Sequence, residues 1–137
     1  MIPRGLRNNN PGNIRQSSTT YKGEISPSRD KEFKQFETVA YGYRAMFVAL
    51  HYYHSKLGLK SIRKMINRWA PPSENDTGSY IRTVSRLSNH DPDKTIDLQN
   101  RNLMLGIVAA MSKVENGQDA VISDVIEGWK LYKADRK

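Results

Sequence analysis

Cysteine is absent from the 137 residues, which excludes disulfides and thiolate metal sites as sources of stability. Long apolar runs are absent too, because the longest, counting Gly106, covers only residues 103–111, far short of a membrane span. Residues 1–5 contain no apolar signal-peptide core. We therefore expect synthesis in the cytoplasm without membrane insertion, and another export route or host lysis for any action outside the cell.

Acidic residues are scarce: the sequence has 14 Asp and Glu but 22 Lys and Arg, which gives a net charge of +8 and a pI near 9.8. Such a surface attracts polyanions, namely nucleic acid, acidic membranes or the anionic bacterial wall. The length suits one domain with a real core. The sequence shows no internal repeat and no linker, so we predict a single domain over residues 1–137.

Residues 4–15 are dense in Asn, Gly and Pro, which predicts an irregular segment and not a regular helix. Four Asn and three Arg side chains in these twelve residues offer many donors for a sugar, a phosphate or a carboxylate. Alternatively, the Asn side chains bond to their own backbone, as such clusters often do. Composition alone leaves both interpretations open.

The fold is predicted to be mainly α-helical, with a small β-hairpin near the N-terminus. The hairpin pairs residues 20–25 with residues 32–36, and its acids Glu24 and Asp30 are interpreted as solvated turn residues. Apolar spacings of three and four then indicate helices. Ser61 is expected to cap one of them, and either Asp76 or Thr77 to cap the next. The helices cover residues 38–57, 61–69, 77–87, 97–114 and 120–134.

Two sequence features could suggest other ligands. His51 and His54 are three residues apart, but no third ligand follows at a suitable spacing, so we expect neither metal nor cofactor. A basic run, defined as Lys56, Lys60, Arg63, Lys64 and Arg68, is either a solvated helix face or a nucleic-acid contact.

Glu115 is the candidate that organises the chain. Ile107, Met111 and Glu115 are spaced four apart, so a helix stacks them on one face, and Gly117 reads as the helix stop. A partly desolvated carboxylate has a raised pKa, which suits a general acid near neutral pH. The alternative is a Glu that faces solvent or pairs with Lys113 or a distant Arg.

Several motifs together resemble a family of small bacteriophage and prophage proteins related to peptidoglycan-degrading, lysozyme-like enzymes. They are the Asn-rich residues 4–15, Phe33 to Phe36, Gly42-Tyr43-Arg44-Ala45, the block from Trp69 to Ile81, and Glu115-Asn116-Gly117. The spacing of Thr77, Tyr80, Ile81 and Val84 is also similar to a segment of soluble lytic transglycosylases, and residues 110–117 are similar to their catalytic helix. The order of the two segments is rearranged here, and the Gly-rich, Met-Gln segment after the acid is missing.

The resemblance implies a lysozyme-like helical domain that cleaves peptidoglycan glycan strands, with Glu115 as the catalytic acid. A hydrolase usually needs a second carboxylate, for which the candidates are Glu74 or, on the hairpin, Glu24 and Asp30. A lytic transglycosylase can use one Glu as acid and then base, and we favour this version because no second acid stands out. The implied substrate contacts are Asn8, Asn10, Asn13, Arg15, Arg44, Trp69, Asn75, Thr77 and Tyr80.

Two other functions remain open. The protein could be a non-catalytic virion or wall-binding protein that keeps the fold, acts at the cell wall within a phage particle and contacts other virion proteins. A nucleic-acid binder would use the basic run, but the sequence lacks a recognised binding motif, so nucleic acid is not the expected partner.

Overall fold

Residues 1–136 are described by a computed structural model, and they confirm a mainly helical fold with one small antiparallel hairpin near the N-terminus. The strands are β1 (Glu24–Ile25) and β2 (Gln35–Phe36). The helices are α1 (Arg4–Arg7), α2 (Val39–Ser55), α3 (Ile62–Trp69), α4 (Thr77–Ser88), α5 (Arg101–Asn116) and α6 (Ile122–Ala134).

Side-chain caps fix the starts of four helices, since a cap satisfies a backbone N–H that has no partner inside the helix. Thr38 caps α2, and Ser61 and Asp76 cap α3 and α4, the last two as predicted. The prediction that α5 begins near residue 97 is wrong. Asn100 accepts from the backbone N–H of Leu103 and starts the helix at Arg101.

The first turn of the chain also differs from the prediction. Residues 4–7 form one helical turn, in which the N–H of Arg7 donates to the carbonyl of Pro3 at 2.9 Å. Pro3 lies just before the turn as its N-cap, with a ψ of 148°. Asn9 then adopts a positive φ of 53°, which ends the turn, and residues 8–15 are irregular as expected.

The hairpin is shorter than predicted and is anchored by buried charges. Glu24 pairs with Phe36 across the strands, while its carboxylate accepts from Lys34 Nζ at 3.1 Å, with both side chains almost fully buried. Asp30 is also largely buried and forms a two-pronged ion pair with Arg4. The interpretation of these two acids as solvated turn residues is therefore wrong, because each has a cationic partner.

The hydrophobic core lies between α2 and α6 on one side and α4 and α5 on the other. Phe47 of α2 packs against Trp129 and Tyr132 of α6, with ring centroids 5.3 and 5.7 Å away. This packing brings the C-terminal turn of α5 next to α4 and the N-terminal segment. Among residues 1–136, no helix combines the length and apolar character needed to cross a membrane.

Candidate functional site around Glu115

Glu115 lies in the last turn of α5, which ends at Gly117 with a φ of 70°, as the sequence predicts. The amide of Asn13 donates to Glu115 Oε1 at 2.9 Å. The hydroxyl of Tyr80, from α4, donates to Oε2 at the same distance. The carboxyl group therefore joins three parts of the chain: the N-terminal loop, α4 and α5.

Burial raises the pKa of the Glu115 carboxyl above its ordinary value of 4.5, against the donors from Asn13 and Tyr80, which lower it. The indole N–H of Trp69 and the charge of Arg15 also lower this pKa, although the hydrogen bond of the indole goes to the carbonyl of Gly12 at 3.2 Å. Desolvation disfavours the charged form more than these donors favour it. The group is thus poised to release a proton at a higher pH than an exposed Glu.

Tyr80 is a dependable donor, because burial beside Glu115 raises its pKa well above 10. The alternative that Glu115 pairs with Lys113 is wrong, because Lys113 forms its ion pair with Asp119 at 2.8 Å. Glu115 therefore has neutral hydrogen-bond donors and not a cation as its direct partners.

Two clefts meet at Glu115. The first, the α4 cleft, has a volume of about 260 Å³ and is lined by Asn75, Asp76, Ser79, Tyr80 and Thr83 as well as Glu115. The second, the tryptophan cleft, has about 320 Å³ and includes Asn13, Arg15, Trp69 and Glu74. Asn75 and Glu115 belong to both clefts. The carboxyl therefore lies where an extended ligand would pass from one cleft to the other.

Other acids near Glu115 are few. Glu74 lines the tryptophan cleft and Asp76 lines the α4 cleft. Asp76 was not predicted as a site residue, because in the sequence analysis it was assigned only a role as the cap of α4, which the structure confirms. Glu24 and Asp30 line neither cleft, since their ion pairs hold them at the hairpin. Of the predicted second carboxylates, the structure brings only Glu74 into a cleft with Glu115.

Five of the predicted substrate contacts line the two clefts. Asn13 and Tyr80 contact the acid directly, while Trp69, Asn75 and Arg15 form walls. Arg15 has an exposed guanidinium above the ring of Phe33, 5.1 Å from its centroid. These side chains offer donors and an aromatic edge, which suits a polar ligand with many hydroxyl groups.

The other four predicted contacts support the fold instead and line neither cleft. Asn8 donates to Asp30, and the fully buried Asn10 donates to the carbonyls of Ile14 and Lys34. Thr77 donates to the carbonyl of Ala70. Arg44 pairs with Asp135 at 2.9 Å. Each of these side chains forms a hydrogen bond or an ion pair within the protein and lies outside both clefts, so the structure gives none of them a ligand-facing role.

Gly5 is a supporting residue that the sequence did not single out. A Cβ built on Gly5 would lie 2.7 Å from Asn13 Oδ1, 2.7 Å from Asn116 Oδ1 and 2.8 Å from the carbonyl oxygen of Asn10. Both amide oxygens are buried without a hydrogen-bond partner in residues 1–136. The close approach of the glycine lets Asn13 turn its oxygen inward and its N–H toward Glu115.

The histidines have separate partners. His51 shares a 2.7 Å hydrogen bond with the hydroxyl of Tyr132, and His54 binds the carbonyl of Ile96 at 2.8 Å. In the part of the chain that the structure describes, no group of three or more His, Cys, Asp or Glu side chains could hold a metal ion.

Fold and site together define a small, mainly helical protein that holds one half-buried carboxyl group at the junction of two clefts. No protein-family model matches the chain. It is 37% identical over 135 residues to Protein P5 of Pseudoalteromonas phage PM2, an alignment that covers 94% of this chain and 82% of the phage protein. The chain therefore belongs to the family of that bacteriophage protein. Its resemblance to peptidoglycan-degrading enzymes stays a prediction.

Proposed function

We propose that this protein cleaves the glycan strands of peptidoglycan, with Glu115 as the general acid and base. The observation that carries the proposal is the place of the Glu115 carboxyl, half-buried and at the junction of two clefts. A raised pKa keeps part of the population protonated at a pH where an exposed Glu is ionised. The sequence resemblance to lysozyme-like enzymes supports the same chemistry.

The reaction breaks the β-1,4 bond between N-acetylmuramic acid and N-acetylglucosamine. Protonated Glu115 donates to the glycosidic oxygen while the bond to the anomeric carbon breaks and oxocarbenium character develops. A hydroxyl of the same sugar then attacks that carbon, and ionised Glu115 accepts its proton. The two hydrogen bonds from Asn13 and Tyr80 stabilise the carboxylate during the interval between these proton transfers.

Glu74 supplies the hydrolytic alternative, since it lines the tryptophan cleft with Glu115. As a carboxylate it would activate water or stabilise the oxocarbenium-like state. Glu74→Gln separates the two versions. If the enzyme is a transglycosylase with a single acid, Glu74→Gln should retain most activity and the wild-type products should carry anhydro ends. If it is a hydrolase that needs Glu74, the variant should lose activity and the wild-type products should carry reducing ends.

Turbidity loss of purified cell walls tests the proposal. Wild type should clear the walls and Glu115→Gln should not. The control variant Glu127→Gln, at an exposed position on α6, should clear them as wild type does. Mass spectrometry of the released products would confirm cleavage. The positive net charge should hold the enzyme to the anionic wall, so clearing should weaken as salt is raised. Equal clearing by wild type and Glu115→Gln would contradict this site.

A non-catalytic role in a phage particle is the second candidate, and family membership with a phage protein favours it. In that case Glu115 would act as a structural acceptor that ties the N-terminal loop and α4 to α5. Wild type would then sediment with peptidoglycan, or with other virion proteins, and would release no muropeptides.

A further inference from the structure

A third cleft continues from the tryptophan cleft, away from the α4 cleft. It is the largest of the three, at about 600 Å³, and we call it the tyrosine cleft because Tyr21, Tyr52 and Tyr53 line it. It shares Asn13, Arg15, Arg68 and Trp69 with the tryptophan cleft. A ligand held beside Glu115 could therefore extend a substituent directly into this third space.

The tyrosine cleft is more positively charged than the two clefts around Glu115. No Asp or Glu from residues 1–136 lines it, whereas the tryptophan cleft includes both Glu74 and Glu115. Its charged groups are the guanidinium groups of Arg15 and Arg68, at the border of the two clefts.

These guanidinium groups retain free donors. The closest acidic oxygen to Arg15 is a Glu32 oxygen 3.7 Å away, with both side chains about 60% exposed, so this pair is weak. Arg68 lies over the ring of Tyr53, 5.5 Å from its centroid, and it has no ion-pair partner in the described part of the chain. Guanidinium groups with free N–H donors bind carboxylates in a fork-like geometry.

We propose that the tyrosine cleft binds the anionic peptide stem of a peptidoglycan strand, with stem carboxylates on Arg15 and Arg68. This inference rests on the proposed function and names the part of the substrate that this cleft takes. Unmodified sugar rings carry no charge and have no need of two cations. The tyrosine rings, of which Tyr52 is half exposed, would contact the aliphatic side chains of the stem.

Binding to a protein without turnover tests the proposal. In the Glu115→Gln background, calorimetry compares two probes: the disaccharide-tetrapeptide muropeptide and the disaccharide of N-acetylglucosamine, which carries neither a peptide nor a carboxylate. The muropeptide should bind about tenfold more tightly, because charge-assisted hydrogen bonds to carboxylates are the strong ones. Adding Arg68→Gln or Arg15→Gln should reduce this preference, and the exposed Arg101→Gln at the start of α5 should leave it unchanged.

The proposal is overturned if both probes bind equally, if neither binds, or if the two arginine variants weaken both probes to the same extent. The last outcome would assign Arg15 and Arg68 to the sugar. This binding test does not depend on cleavage. Whether the protein cleaves glycan strands is decided separately, by comparing how wild type and Glu115→Gln clear purified cell walls. The stem preference and the glycan-cleaving function can therefore fail separately.

Discussion

Asn13 and Glu115 are separated by 102 residues in the chain, and the side-chain amide of Asn13 donates a 2.9 Å hydrogen bond to Glu115 Oε1. This bond stabilises the ionised acid, whereas burial destabilises it. The acidity of Glu115 is thus a balance between desolvation and its donors, and each side of that balance can be altered by a single substitution.

Asn13→Gly should raise the pKa of Glu115 further, because a donor to the carboxylate is lost. Glycine tolerates the positive φ of 50° at this position. The pH at which wall clearing falls off on the alkaline side should move upward by the same amount. A carbon-13 NMR titration of the Glu115 carboxyl measures the shift.

Asn9→Gly is the matched control, since Asn9 has a φ of 53° and its amide binds the carbonyl of Phe36. We expect no change in the pKa of Glu115 in this variant. An unchanged pKa in Asn13→Gly as well would show that the Asn13 bond contributes nothing to the acidity of the site.

The stability of wild type relative to Glu115→Gln should depend on pH with a defined sign. Because the pKa of Glu115 is raised in the folded state, the folded protein keeps this proton at pH values where the unfolded chain has lost it. The wild-type free energy of unfolding should therefore decrease relative to the variant as the pH rises from about 4.5 through the raised pKa, and then level off.

Urea denaturation of both proteins across this range measures the difference. Carboxylates elsewhere, including Asp30 with its lowered pKa, titrate in both proteins and cancel in the comparison. A difference that grew in favour of wild type with rising pH would contradict the burial of Glu115.

Lys34→Met should destabilise the protein by about 3–5 kcal/mol, because it leaves Glu24 buried without its cation. Lys34 Nζ also donates to the carbonyl of Thr19 at 2.8 Å, so the loop before β1 should loosen. Adding Glu24→Gln should recover part of the loss, since the buried charge is then removed. Chemical denaturation of the single and double variants checks this, and additive losses would argue against a coupled pair.

Gly5→Ala should cost about 1–3 kcal/mol, as overpacked sites do, because the new methyl group meets three oxygens at 2.7 to 2.8 Å. It should also displace Asn13 and so raise the pKa of Glu115. Gly106→Ala in α5 has room, with Ser88 3.6 Å away, and should stabilise by up to about 1 kcal/mol through helix propensity. Thermal melts compare the two variants, and similar effects would refute the crowding at Gly5.

Local features of the fold could be predicted from the sequence, because they depend on neighbouring residues. Ser61 and Asp76 cap α3 and α4 through N–H groups three residues later, and Gly117 ends α5. The spacing from Ile107 to Glu115 likewise placed the acid at the end of a core helix. The single turn at residues 4–7 was missed because the Asn, Gly and Pro content of residues 4–15 indicates an irregular segment.

The partners of charged residues could not be predicted, since they lie far away in the sequence. Arg44 pairs with Asp135, 91 residues later, and Asp30 pairs with Arg4, 26 residues earlier. Asn8, Asn10 and Asn13 belong to the same Asn-rich segment, but of these three only Asn13 forms a hydrogen bond with Glu115. Which asparagine meets the acid is decided by tertiary packing and not by composition.

Because the donors to Glu115 come from the N-terminal loop and from α4, no short stretch of this chain contains the whole arrangement. In an unfolded chain this Glu lies in water with an ordinary pKa. Under the proposed function, glycan cleavage would then begin only after the two distant parts of the polypeptide have come together, so folding itself would control when the protein becomes active.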